Sequence, residues 1–314
     1  MERFIRIGVV TAWPEEDWHS KRLLAACARR GEAVVIDPSA MAAGVGAEGV
    51  GVSLGTMRME EVDAFVLARG LGREGDPDAQ FEIYRAMEGA GAVVVNRIEP
   101  LLAAQDKFRS SWLLVRAGVP TPPAAVAQAP VGAEHALERL GESVVKPLAG
   151  SLGEGVERVR PDRAGRDRVR ERAGRDGAVY LQAYVPHPGR DLRVFVVGGT
   201  TRAAMVRHAP PGEWRTNVGG GGRVEAVECP AAVRAVAEAA AAALELDYAG
   251  VDLVLGDEGP TVIEVNGNPS WQGILEATGL DMAEAIAEHV LARALRRRKT
   301  SDHIVRERTG ATHG

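Results

Sequence analysis

The sequence predicts an α/β chain in two parts: an open parallel-sheet domain over residues 1–100, then a body of α+β character built on antiparallel strands. Three observations predict it. Aliphatic runs alternate with helical patterns in the first hundred residues, as strand–helix–strand crossover units do. Later runs follow one another across glycine- and proline-bearing turns, as antiparallel strands do. Among these, Val251–Leu255 and Thr261–Asn266 flank Gly256-Asp257-Glu258-Gly259-Pro260 and read as two antiparallel strands that carry charge inside aliphatic runs.

Composition sets the bounds. The chain has 314 residues, 46% hydrophobic and 26% charged, which is globular and long enough for two or three domains. A net charge of −5 and a pI near 5.9 give no reason to expect nucleic acid. Cys27 and Cys229 are the only cysteines, so neither a disulfide framework nor a zinc site is expected, and a reducing cytoplasm is the natural compartment. The N-terminus does not read as a signal peptide, and no apolar run reaches the length of a membrane span, so no membrane partner is expected.

In chain order, residues 3–10 read as a buried strand, Ser20–Arg30 as a helix stopped by Gly31, and Ala33–Ile36, Val62–Leu67 and Ala92–Asn96 as further strands around a helix over 78–90. No Gly-x-Gly-x-x-Gly follows the first strand, which argues against a dinucleotide site. Trp13 and Trp18 fall in the first strand–helix loop, where open sheets place ligands; they fit half-buried loop aromatics equally well. Residues 44–55, rich in glycine, read as a loop. A helix begins at Asp106-Lys107, with Phe108, Trp112, Leu113 and Val115 apolar, and ends at Gly118. Ser143–Lys146 is a strand. Residues 161–177 read as an exposed helix or loop, 179–185 and 191–197 as strands, and Ala203–Arg207 as a strand paired to the latter across Gly198-Gly199. Helices over 231–246 and 281–296 and a polar tail over 296–314 complete the chain.

Four features carry chemistry. Side chains alternate along a strand, so Glu264 and Asn266 share a face and Asp252 can lie opposite them. Such hard oxygen donors suit Mg²⁺, although a solvated polar sheet face reads the same way. Only four of the 38 basic residues are lysines, Lys21, Lys107, Lys146 and Lys299, and ammonium is a compact charge that guanidinium does not replace. Gly150-Ser151-Leu152-Gly153-Glu154-Gly155 follows Lys146 closely and reads as an anion-binding nest or a plain connection. Finally, Gly219–Gly222 is costly to order and suggests a mobile loop or close contact with a ligand.

Taken together, Asp106-Lys107, Val145-Lys146-Pro147, Gly-Ser-Leu-Gly-Glu-Gly, Leu-Gln-Ala-Tyr-Val, Asp-Leu-Arg-Val-Phe-Val-Val-Gly, Gly-Glu-Trp-Arg-Thr-Asn, Gly-Val-Asp-Leu and Glu-Val-Asn-Gly-Asn-Pro make residues 106–294 resemble an ATP-grasp ligase, most closely the RimK-type α-L-glutamate ligases. The resemblance implies a two-lobed ATP-grasp fold, with a central lobe at 101–187 and a C-terminal lobe at 188–295. It implies that Lys107 and Lys146 contact ATP phosphates under a lid containing Gly150, Ser151, Gly153 and Gly155. Backbone around Gln182, Ala183, Tyr184 and Val185 would read adenine, and Asp191 the ribose. Asp252, Glu264 and Asn266 would hold two Mg²⁺ ions, with Mn²⁺ an alternative. Arg193, Arg207 and Arg215, with Asn217 nearby, would steady the phosphoryl group and the carboxylate substrate. The implied partners are a carboxylate acceptor and an amino-acid amine donor, glutamate foremost. A peptide or carrier protein could supply the acceptor, and a homo-oligomer, dimer or tetramer, is implied. The run Asn266-Gly267-Asn268-Pro269-Ser270-Trp271 departs from the family's Asn-x-Ser-Pro-Gly, and Trp271 would add bulk beside the acceptor. The alternative is a regulatory protein that keeps the nucleotide site without catalysis; the intact acidic set and the three arginines favour the enzyme.

Overall fold

The computed structural model describes residues 4–148, 155–216 and 222–310, with side chains as far as residue 300. The chain divides into two compact units, residues 1–98 with 281–314, and residues 99–280.

The first unit holds β1 (Arg6–Val10), α1 (Trp18–Ala28), β2 (Glu32–Ile36), β3 (Met41–Gly46), β4 (Gly49–Leu54), β5 (Met57–Arg58), β6 (Ala64–Leu67), α2 (Pro77–Gly89) and β7 (Val94–Val95). Parallel pairing gives the sheet order β2-β1-β6-β7, and Ile7, Val9, Val10, Phe65 and Val66 are buried in it. Asp17 caps α1 by accepting the Ser20 N–H at 2.7 Å. The segment over 44–55 is not a loop: β3 and β4 form a hairpin in register from Met41↔Leu54 to Gly46↔Gly49. Its period-2 signal, Met41, Ala43, Val45 and then Val50, Val52, Leu54, is thinned by intervening glycines.

The C-terminal helix runs Met282–Gly310 instead of ending at residue 296 before a polar tail. No glycine or proline interrupts it before Gly310, so nothing local stops it. It belongs to the first unit, where it packs on α1 and β6, rather than to a lobe over 188–295. Ala283, Ile286, Ala287, Val290 and Ala294 make its buried stripe at helical spacing. Arg298 adds a bidentate pair to Asp63, with Nε to Oδ1 at 2.9 Å and Nη2 to Oδ2 at 2.8 Å.

The second unit holds α3 (Ile98–Gln105), α4 (Lys107–Arg116), β8 (Ala124–Ala127), α5 (Pro130–Leu140), β9 (Ser143–Lys146), β10 (Glu157–Val159), α6 (Arg163–Asp176), β11 (Val179–Ala183), β12 (Arg190–Val197), β13 (Thr200–His208), β14 (Arg223–Ala226), α7 (Ala231–Ala243), β15 (Tyr248–Gly256), β16 (Gly259–Asn266) and α8 (Gln272–Thr278). The C-terminal helix is α9. A four-stranded antiparallel sheet, order β10-β9-β11-β8, is covered by α5 and α6, whose Leu137, Val169 and Ala173 bury against Val145 and Leu181. A five-stranded antiparallel sheet, order β14-β13-β12-β15-β16, is covered by α7, whose Ala237, Ala240 and Ala241 meet Val194, Val251 and Leu253. Full burial of one such valine or leucine contributes about 1.5–3 kcal/mol. The segment leading into β8 is tied to β16. The Val262 N–H donates to Pro120 O at 2.9 Å, and Thr121 Oγ1 donates to Val262 O at 2.9 Å.

Candidate active site

A cleft lies between the two sheets of the second unit. Strand β9 ends there with Lys146, and α4 begins there with Lys107. Residues Gln182–Val185 form one wall, and β12, β13, β15 and β16 contribute Asp191, Arg207, Asp252 and Glu264. Arg215 also lines it. The structure therefore gathers Lys107, Lys146, Gln182, Ala183, Tyr184, Val185, Asp191, Arg207, Arg215, Asp252 and Glu264 from segments far apart in the chain. It does not bring Arg193 or Asn266 to the lining. Gly155 stands apart, its carbonyl accepting from Arg172 Nη1 at 3.1 Å. Gly150, Ser151, Gly153 and Asn217, like the glycine run 219–221, lie outside the described residues.

The expected strand register holds: Asp252 pairs with Glu264, and Gly250 with Asn266, with a bulge just after Asp252. The two carboxylates have different surroundings. Asp252 is 1% exposed and sits opposite Arg193 on β12. Arg193 donates to it from Nε and, at 2.7 Å, from Nη2. Arg207 Nη2 lies 3.0 Å from its Oδ2. Burial alone would raise the Asp252 pKa; the Arg193 and Arg207 charges outweigh it and hold the carboxyl below its ordinary range. Arg207 also grips Asp191, with Nε to Oδ1 at 2.8 Å and Nη2 to Oδ2 at 2.6 Å. Thr216 Oγ1 donates to the same Oδ2 at 2.6 Å. The result is a buried ladder of two aspartates and two arginines, neutral as a set. Arg193 stands behind Asp252, so its guanidinium is spent on that carboxylate. Glu264 is half-buried and, among the described residues, accepts no hydrogen bond and makes no ion pair.

Lys146 donates from Nζ to the Gln182 side-chain Oε1 at 2.8 Å. Gln182 thus brings its side chain to Lys146, where the resemblance implied only its backbone. Burial pushes the Lys146 pKa down, Glu264 opposes that, and Lys107 adds to it. Arg215 donates to Glu213 at 2.6 Å, and that bond foremost holds the Glu213 carboxyl down at about 2. Tyr184 carries the Arg158 guanidinium 3.7 Å over its ring and meets the Trp214 ring edge-on at 5.9 Å. Trp214 and Thr216, quoted in the sequence only within the Gly-Glu-Trp-Arg-Thr-Asn motif, and His187, which the sequence did not mark, also line the cleft. Trp271 does not crowd the cleft. It is 1% exposed and packs edge-on against Phe195 at 6.3 Å. In the first unit Trp18 and Trp13 are half-buried beneath Arg22 and Arg73, at 4.6 and 5.9 Å.

The donor set fits a divalent cation. Two carboxylates face each other across β15 and β16 at the cleft. Glu264 is unengaged, and Asp252, with three of its roughly four acceptor positions used, retains one. Among the described residues no three His, Cys, Asp or Glu side chains surround one point. Mg²⁺ characteristically takes one or two carboxylates and completes its shell with water and substrate phosphate, which is what this pair can offer.

Residues 104–290 match the RimK-like ATP-grasp domain family. The chain belongs to that family. It is 29% identical to the tetrahydromethanopterin:alpha-L-glutamate ligase of Methanosarcina acetivorans, covering 91% of this chain and 98% of that protein. It is 32% identical to a probable alpha-L-glutamate ligase 2 of a Shewanella species, covering 94% and 99%. Among solved structures it resembles the ATP-grasp ligase PsnB complexed with minimal precursor, at a TM-score of 0.72 and 21% identity over 92% of this chain and 99% of that one. It likewise resembles the D-cycloserine synthetase DcsG, at 0.66 and 24% over 92% and 99%. The RimK-like ATP-grasp proteins are ATP-dependent ligases, and this one is an ATP-grasp ligase; such enzymes use ATP and Mg²⁺. Among the described residues no helix is long and apolar enough to cross a membrane.

Proposed function

We propose that this RimK-like ligase joins the amine of an amino acid, L-glutamate foremost, to the carboxylate of an acceptor by way of an acylphosphate. The observation that carries the reading is the opposed pair Asp252 and Glu264 sharing one cleft with Lys107 and Lys146. The acceptor carboxylate oxygen attacks the γ-phosphorus of ATP and releases ADP. The amine nitrogen then attacks the acyl carbon, and inorganic phosphate and a proton leave. Neither step needs a nucleophilic side chain; both need charge held in place.

The chain's own groups supply that. Lys107 and Lys146 face the phosphates as compact cations. Ala183–Val185 offer backbone groups to the base, beside the Tyr184 ring that Arg158 steadies. Asp191 already accepts three hydrogen bonds, which leaves about one position for a ribose hydroxyl. Arg215 gives one donor to Glu213 and keeps the rest of its fork for a carboxylate. Arg207, from the cleft wall, fixes Asp191 and touches Asp252, and Arg193 fixes Asp252 from behind. Glu264 and Asp252 would hold Mg²⁺, as one ion or two, with Asn266 beside them on β16. Bound there, Mg²⁺ neutralises phosphate charge and orients the transferring group.

Glutamate is supported by the whole-length relatives named for it. A peptide acceptor draws support from PsnB, whose structures include a precursor peptide. The test is ADP release across a panel of acceptors (a pterin coenzyme, peptides with free C-termini, small dicarboxylates), each with and without glutamate or another amino acid. The proposal expects steady ADP formation only when acceptor and amine are both present, with an amide product of matching mass. Nucleotide binding without turnover on any pair, or ADP release indifferent to the amine, would contradict it.

A further inference from the structure

Strand β11 sets Tyr180 opposite Lys146 of β9, and Gln182 opposite Val144. These four side chains share one sheet face, and Val144, Lys146 and Gln182 line the cleft from it. Lys146 therefore has two neighbours on β11, Tyr180 directly across and Gln182 on the diagonal, both within reach of a long side chain. Tyr180 is engaged elsewhere: its hydroxyl shares a hydrogen bond of 2.8 Å with Ser111 Oγ on α4. The ammonium turns to the diagonal neighbour instead. Among the described residues its bond to Gln182 Oε1 is the one hydrogen bond it makes, and it forms no ion pair.

Gln182 is 4% exposed, and both ends of its amide are used. An ammonium only donates, so the amide oxygen has to face Lys146. The nitrogen is left to face β16, where it donates to Ile263 O in a long bond of 3.5 Å. Ile263 directly precedes Glu264. One buried side chain thus touches the cation of one sheet and the backbone of the acidic strand in the other.

We infer that Gln182 is a positioning residue: its amide aims the Lys146 ammonium into the cleft and fixes its place relative to the strand that carries Glu264. That role rests on Lys146 contacting the nucleotide phosphates, as in the proposed function. The use of an amide follows from charge. A carboxylate at position 182 would hold the ammonium as firmly, but it would neutralise the cation beside the phosphates and repel them. The amide takes one of the ammonium's donors and none of its charge, so the others remain for phosphate oxygens. An aliphatic residue would fill the space and leave the lysine stem free among its rotamers, a freedom then lost on binding.

Calorimetric titration of ATP and of adenosine, with Mg²⁺ present, separates this role from a packing role in the wall that receives the base. Gln182→Glu, nearly isosteric, and Gln182→Leu should each weaken ATP binding about tenfold, the scale of one hydrogen bond to a charged group. Adenosine, which carries no phosphate, should bind both as it binds the unaltered chain. Lys146→Met shows whether the glutamine acts through the lysine. In that background Gln182→Leu should weaken ATP no further, since residues that act as a unit are not additive. Equal losses for ATP and adenosine overturn the inference, as does a Gln182→Leu loss that adds in full to that of Lys146→Met. So does an ATP affinity that neither Gln182 variant changes. If Lys146→Met itself leaves ATP affinity unchanged, the phosphate reading of Lys146 fails first, and the role of Gln182 falls with it.

Discussion

Hairpins β15–β16 and β3–β4 are closed by near-identical turns, Gly256-Asp257-Glu258-Gly259 and Gly46-Ala47-Glu48-Gly49. In each the two glycines pair across the turn, and the second takes a φ that only glycine adopts readily, +106° at Gly259 and +107° at Gly49. Their surroundings differ. Strand β15 has a neighbour on each side and α7 over one face, so the charged Asp252 within it must be matched, and Arg193 and Arg207 match it. Strand β3 has one neighbour and no charge. Local turn chemistry makes a hairpin; what covers it decides whether it becomes a site or a surface.

Breaking the matched side should have the largest effect. Asp252→Ala leaves two guanidiniums in the interior without their shared carboxylate, and losing one partner of a buried pair typically costs about 3–5 kcal/mol. Denaturant titration should show that loss, with turnover abolished as well. A change at the exposed ribbon, Val45→Lys, should move chain stability by no more than about 0.5 kcal/mol.

Glu264→Ala sharpens the contrast within one strand pair. Glu264 is only half-buried and, among the described residues, accepts no hydrogen bond and makes no ion pair, so its removal should leave the denaturation midpoint within experimental error. Turnover should fall on the order of 10³-fold, as when a group acting on transition-state charge is lost. If the two variants lost equal stability, the distinction between a matched and an open carboxylate would be wrong.

His19 extends the contrast to a buried titratable group in the first unit. It is 7% exposed. Burial foremost, then the Arg69 charge, lowers its pKa from 6.5 to about 4 against the pull of Asp17. The unfolded chain therefore binds a proton between pH 6.5 and 4 that the folded chain refuses. Stability contributed by neutral His19 is intact above 6.5 and declines as pH falls toward 4, by up to about 3 kcal/mol. His19→Gln should flatten that part of the stability–pH curve; an unchanged slope would show that His19 protonates without cost in the folded chain.

A smaller effect is expected at Lys146. Its Nζ fits 2.8 Å from Gln182 Oε1 at a strand end, where a planar fork cannot take the same position. Lys146→Arg should weaken ATP binding about tenfold, roughly 1.4 kcal/mol, in a calorimetric titration, while Lys21→Arg should change nothing.

The two hairpins also show what a sequence displays. The Asp252↔Glu264 register was legible because valine, leucine and isoleucine mark period 2 around the charges. The same period at 41–54 was obscured because glycine and alanine carry little strand signal, and the segment read as a loop. The lysines stood out by scarcity. The bonds from Arg193 to Asp252 and from Arg207 to Asp191 were not legible, since they join residues 59 and 16 positions apart and no local pattern encodes a partner. That is why Arg193 read as a substrate group when its guanidinium is committed to the protein. Helix α5 was missed because its alanine-rich stripe, Ala133, Ala136 and Leu137, gives little contrast with its surroundings.

The most direct test of Glu264 as the open metal donor of the cleft is a calorimetric titration of ATP with and without Mg²⁺ into the unaltered chain and into Glu264→Gln. The account predicts that Mg²⁺ tightens ATP binding to the unaltered chain and that Glu264→Gln, uncharged and nearly isosteric, abolishes most of that gain while binding of ATP alone is kept. Equal tightening by Mg²⁺ in both proteins would contradict it and would move the metal away from the β15–β16 pair.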